Sequence, residues 1–215
     1  MKAYHFLKTD MKSGKGDELP WVVGETRRIE GEVALYFRGY HSSPTILDAL
    51  GYAPGPVACV VEVSEPVGKD SSKQVSRTRT LIAALDATRV LHEFTCRVAE
   101  DVLSIFENQF PNDKRPREVI ETKRKWLMGT ATNEELAAAG EAARDAYSVV
   151  GDRGAAWGAY CAAWAVYCAA SGAVCDAAWA ARVAACATWA TAYGTARAKY
   201  DSWLDEMLRE AGIPI

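Results

Sequence analysis

Net charge is nearly absent from this chain: 25 lysines and arginines stand against 28 aspartates and glutamates in 215 residues, leaving −3. Such a balance excludes the broad basic footprint that nucleic acid or an anionic membrane surface requires, and it favours a small molecule or a protein as partner. A secretory leader is missing too, because Met1 to Asp10 mixes Lys2, His5, Lys8 and Asp10 among its apolar residues, so we expect a cytoplasmic protein. The phosphate-loop spacing G-x-x-x-x-G-K-[ST] does not occur. Ser13-Gly14-Lys15-Gly16-Asp17 has the residue types without the spacing or a preceding apolar strand, and reads as a flexible turn. His92, Cys96 and Glu100 share a helical face but lack a second ligand cluster, so they read as structural; no metal and no cofactor is expected.

Leu, Ile, Phe and Met are absent from Ala155 to Cys175, although that stretch carries no charge at all. Val166 and Val174 alone are strongly inserting aliphatics there, which argues against a membrane span. What fills it instead is a seven-residue repeat, AAWGAYC, AAWAVYC and AASGAVC. Trp157, Cys161, Trp164, Cys168, Ser171 and Cys175 alternate spacings of four and three, the seam of two closely packed helices, and a homo-oligomer is left open. Cysteines seven apart on a helix lie roughly 10 Å apart along its axis, too far for a disulfide. They read as small buried hydrophobes in a reducing compartment. A helix running straight from 155 to 193 would be longer than a domain of this size covers, so a break is expected at Ser171-Gly172.

Elsewhere the periodicity changes once. Up to residue 85 it is that of strands: alternation in Lys2 to Leu7, Val33 to Phe37, and the apolar run Val57 to Val63, with a short helix over Pro44 to Tyr52 capped by Ser43. From Asp86 it is helical. Leu91, Phe94, Val98, Val102 and Ile105 mark one helix, Pro116 to Leu127 a second, and Thr132 with Glu135 makes a capping box for a third. Tyr200, Trp203, Leu204, Met207 and Leu208 stripe the last. The fold class is therefore α+β, a small N-terminal α+β domain over 1–85 followed by an Ala/Trp-rich helical bundle over 86–215. The basic residues Lys114, Arg115, Arg117, Lys123, Arg124 and Lys125 sit in a segment with eight charges of each sign, Asp86 to Leu127, and read as a solvated face with i,i+4 pairing.

The best candidate site lies in the N-terminal domain. His5 falls in the first strand, Tyr40, His41 and Ser42 follow the second, and Arg77 and Arg79 lead into the last. Imidazole, hydroxyl and two guanidinium groups together suit a phosphate or nucleotide, the arginines by forked hydrogen bonds. Arg77 and Arg79, two apart in a strand, should face the same way as each other and converge with His41 on one pocket. Trp164 is expected on the tightly packed seam.

Two resemblances cover most of the chain. Lys2-Ala3-Tyr4-His5-Phe6-Leu7, Gly39-Tyr40-His41-Ser42 and Leu47-Asp48-Ala49-Leu50 resemble an uncharacterised N-terminal domain of bacteriophage and bacterial proteins. Phe110 to Arg117, Ile120-Glu121 and the Ala/Trp-rich helices are similar to a helical family of immunity proteins, which implies neutralisation of a toxin or effector. The expected function is then a non-enzymatic phage or bacterial immunity or counter-defence factor that sequesters a protein effector or a nucleotide-type signal. A fainter likeness of Tyr4-His5 and Tyr40-His41-Ser42-Ser43 to ADP-ribosyltransferase folds implies NAD binding, with Glu62 as a poor candidate for the catalytic carboxylate. A structural phage component is the third class.

Overall fold

The computed structural model describes residues 1–14, 17–149, 161–162, 164–168, 174–187 and 193–214. They divide into two compact units, Met1–Thr88 with Leu204–Ile215, and Arg89–Trp203.

The first unit is built on seven strands: β1 (Lys2–Leu7), β2 (Thr26–Arg28), β3 (Tyr40–Ser42), β4 (Val57–Val63), β5 (Gly68–Lys69), β6 (Gln74–Ser76) and β7 (Thr78–Asp86), with the helix α1 (Ile46–Leu50) between β3 and β4. One antiparallel sheet runs β1-β4-β7-β2 and a second β3-β6-β5. β4 lies between two partners, and six of its seven side chains are buried, Glu62 being the exposed one. That double-sided burial is why it reads as an unbroken apolar run. Ala3 and Leu7 of β1 join Val57, Cys59, Val61 and Val63 of β4, Leu81 of β7 and Trp21 in one core cluster.

The two sheets are joined through the backbone where Tyr4 and Ser43 exchange N–H···O bonds of 2.9 Å each way. This bridge lays the end of β3 along the outer edge of β1, beside His5. Gly39, just before β3, has φ +138°, and a Cβ there would stand 2.3 Å from Val75 Cγ2 and 2.7 Å from Val33 Cγ1, so only glycine lets β3 come this close. Val33 to Phe37, expected as a strand, is instead a tight turn closed by an Ala34–Arg38 bridge. Tyr36 takes φ 71° at its tip, and Tyr36 and Phe37 are 58% and 88% exposed. Alternating apolar residues do not make a strand when the chain reverses within five positions. The helix Ile46–Leu50 is capped by Thr45, whose hydroxyl accepts from Asp48 N–H at 3.1 Å, rather than by Ser43, which is committed to the bridge.

The second unit holds α2 (Thr88–Gln109, its first residue apart), α3 (Arg115–Leu127), α4 (Asn133–Val149), α5 (Val174–Ala187) and most of α6 (Tyr193–Glu210); residues 161–162 and 164–168 are helical as well. Cys96, Ala99 and Leu103 of α2, Val119 and Ile120 of α3, Ala143 of α4 and Val166 share a core cluster. The box before α4 closes reciprocally: Thr132 N–H donates to Glu135 Oε2 at 2.8 Å and Glu135 N–H to Thr132 Oγ1 at 3.1 Å. Gly129, at φ 74°, ends α3. Asp101 accepts from Lys199 at 2.5 Å and from Tyr200 Oη at 2.8 Å, tying α2 to the start of α6, which begins earlier than the stripe of its apolar residues suggested.

Two arginines of the basic cluster pair between helices, Arg117 forking onto Glu107 at 2.8 and 2.7 Å and Arg124 onto Glu100 at 2.8 and 2.6 Å, while Arg115 forks onto Asp113 just before α3 and, earlier in the segment, Arg89 makes an i,i+4 pair with Glu93. Lys123 departs further, being 1% exposed with its ammonium 4.5 Å from the Trp126 ring centroid. His92 stacks edge-on against Trp126 at 5.1 Å, and burial, reinforced by the Lys123 charge, draws its pKa down to about 4. Of the seam, Cys161 and Cys168 are buried, while Trp157, Ser171 and the break at Ser171-Gly172 lie outside the described residues. Trp164 is only partly buried and stacks on Trp179, itself 43% exposed, at 5.8 Å and 17°. Among the described residues no helix is long and apolar enough to cross a membrane.

Candidate functional site

A pocket of about 660 Å³ opens where the end of β3, the turn before it and β1 meet. That volume is in the range of small-molecule sites. His5, Tyr40, His41, Ser42 and Arg79 line it, together with Tyr4, Ser13, Glu18, Tyr36, Phe37, Arg38, Tyr52 and Lys73. Arg77 does not. It falls in the break between β6 and β7, where its guanidinium donates to the Gly31 carbonyl, so the alternation that would place it beside Arg79 does not apply. Glu62 is on the exposed side of β4 and takes no part either.

Arg79 is the centre of the arrangement. It is 3% exposed, yet no carboxylate lies within ion-pair distance among the described residues. Its guanidinium carbon sits 4.4 Å from the Trp21 ring centroid and 5.0 Å from that of Tyr40, and the two rings meet edge to face at 5.6 Å. Nη1 donates to the His41 carbonyl at 3.3 Å and Nη2 to Ser13 Oγ at 3.1 Å. Burial draws its pKa down to about 10, only partly countered by Glu18. Across the ladder it faces Arg27, which by contrast is forked onto Glu25 at 2.7 and 2.8 Å. Glu18 is the one carboxylate of the wall, and it is spoken for by Ser13 N–H at 2.7 Å and Trp21 Nε1 at 2.7 Å.

His5 lies opposite Cys59 in the β1–β4 register. Its Nε2 is shut off from solvent and has no hydrogen-bond partner. Burial, then the charges of Arg79, His41 and Lys73, push its pKa well below the ordinary imidazole value. Cys59 is pushed up to about 12 by burial and is no nucleophile. His41 Nε2 accepts from Tyr36 N–H at 2.9 Å, which fixes the turn, and Ser42 Oγ accepts from Gln74 Nε2 at 3.2 Å.

The mouth is aromatic. Lys73 Nζ stands 3.5 Å from the Tyr52 centroid and 5.7 Å from that of Tyr36, and Asp70 holds Tyr36 Oη and the Ser72 and Lys73 amides. Sequence reasoning missed Ser13, Tyr36, Tyr52 and Lys73. The run Tyr36-Phe37-Arg38-Gly39-Tyr40-His41 did signal an aromatic, basic cluster around a glycine, whereas Ser13 and Lys73 reach the wall only through the fold.

The described residues thus comprise an α+β unit with a basic, aromatic-mouthed pocket and a helical unit. Residues 83–206 match the Imm-5 like putative immunity protein family, more than half of the chain, and the chain belongs to that family. Its role is of the immunity type. Residues 1–93 match a domain of unknown function, DUF7666. No curated protein and no solved structure matches the chain.

Proposed function

We propose that this protein is a non-enzymatic immunity factor that sequesters a nucleotide-type signal in the pocket of its α+β unit, in the cytoplasm. The observation that carries this reading is Arg79: a buried guanidinium without a carboxylate, held on two aromatic rings with spare N–H donors at the wall of a pocket. Its hydrogen bonds and ring contacts hold it in place but supply no counter-charge, and an anionic ligand would supply one. The aromatic mouth supplies flat surfaces for a base, whose stacking is worth roughly 1–3 kcal/mol. Favouring sequestration over chemistry, the Cys59 thiol is held protonated and the Glu18 carboxylate is engaged by a backbone amide and an indole.

Calorimetry of the full chain with AMP, cyclic AMP, ADP-ribose and NAD, alongside a chromatographic assay of NAD, tests this. Saturable one-to-one binding of at least one nucleotide with NAD left intact is expected. Binding of none would remove the reading, and consumption of NAD would replace it with the transferase-like one.

A further inference from the structure

We infer that the inner wall of the pocket is a phosphoryl seat formed by the Arg79 guanidinium beside the His5 imidazole, so that the ligand class is a nucleoside phosphate held phosphate-inward, with its base at the Tyr36 and Tyr52 mouth. This rests on the nucleotide reading above and deepens it.

Two groups on the same pocket wall are left incomplete by the protein itself. Arg79 carries five N–H donors. Two are used, on the His41 carbonyl and Ser13 Oγ. His5 Nε2 is closed to solvent and bonded to nothing. A buried polar atom without a partner costs about 1–3 kcal/mol, and such atoms are rare enough in native folds that each calls for an occupant. Both belong to the core-facing side of the four-stranded sheet, where His5 opposes Cys59, and Arg79 stands two positions from Leu81.

The charges acting on His5 come from three elements: Arg79 of β7, His41 of β3 and Lys73 of the β5–β6 connection. None is acidic. A phosphoryl group answers all of this at once, having three acceptor oxygens and a negative charge, whereas a neutral sugar or base supplies acceptors without the charge. At the other end, Tyr36, Tyr52 and the 88% exposed Phe37 are the wall's exposed aromatic rings, which puts the base outward.

The experiment compares AMP with adenosine on the full chain by calorimetry at fixed ionic strength, for the parent, Arg79→Met, His5→Phe and His5→Gln. In the parent, AMP should bind at least tenfold more tightly than adenosine. Arg79→Met should make the two ligands alike, His5→Phe should lower the preference severalfold, and His5→Gln, which keeps an amide N–H, should restore part of it. Equal binding of both ligands by the parent, lost on Tyr36→Ala, would overturn the phosphoryl seat and leave the nucleotide pocket standing. Binding of neither AMP nor adenosine nor any nucleotide of the wider panel would overturn both. The parent's AMP-to-adenosine ratio decides the matter even where a His5 variant fails to fold.

Discussion

Replacing Arg79 by methionine separates what this residue does for the fold from what it does for a ligand. Ordinarily, truncating one partner of a buried ion pair costs 3–5 kcal/mol, roughly, because the other charge is stranded. Arg79 strands nothing. At neutral pH its charge is fully present, and a fall from 12.5 to about 10 corresponds to about 3 kcal/mol against the charged folded form. Two hydrogen bonds of about 1 kcal/mol each and ring contacts of about 1–2 kcal/mol in all offset that penalty nearly completely. Methionine keeps an unbranched stem against Trp21 and Tyr40 and brings no charge to desolvate. Without ligand, the unfolding free energy of Arg79→Met should therefore stay within about 1 kcal/mol of the parent. Urea titration followed by tryptophan fluorescence measures it, and added AMP should then stabilise only the parent. A loss of 3 kcal/mol or more without ligand would refute the reasoning, since Arg79 would then be a structural cation with a partner of its own.

Gly39→Ala should destabilise the protein by about 2–4 kcal/mol, from overpacking against Val75 and Val33 together with backbone strain at positive φ, and an unchanged denaturant midpoint would show that β3 re-seats without difficulty. His92 is neutral in the fold down to about 4 but takes a proton at 6.5 when unfolded, so stability should fall as pH drops from 6.5 to 4; melting curves of His92→Gln should lack that part of the slope. Trp164→Ala should cost about 2 kcal/mol by chemical denaturation, less than a fully enclosed tryptophan, because its stacking partner Trp179 faces solvent.

Much of this fold was legible wherever one local rule decided the outcome. The residue bounds of β1 and β4 follow from alternation and from an apolar run, and the Thr132–Glu135 box follows from two side chains and two amides three residues apart. Legibility failed where a tertiary contact overrode the local pattern. Ser43 cannot cap a helix while it bridges to Tyr4; Arg77 cannot share a face with Arg79 across a break between strands; Val33 to Phe37 cannot extend once Tyr36 turns the chain back. Of the candidate site, the identities of His5, Tyr40, His41, Ser42 and Arg79 were readable from residue type, and the pocket they line is where the structure puts them. What no local pattern conveys is that Arg79 is buried without a carboxylate, because that depends on Trp21, Tyr40 and Ser13 arriving from three other parts of the chain.

Leu204–Ile215 belong with the first unit, in which Leu204, Leu208 and Ile213 are buried. The α+β unit is thus discontinuous in sequence, interrupted by the 115 residues from Arg89 to Trp203. On the ribosome, the sheets are translated before Leu204–Ile215, so Arg89–Trp203 is already synthesised when that segment of the same unit emerges. A nascent or truncated chain ending before residue 204 lacks that segment, and proteolysis within Arg89–Trp203 would separate the two pieces of one unit rather than release a whole one.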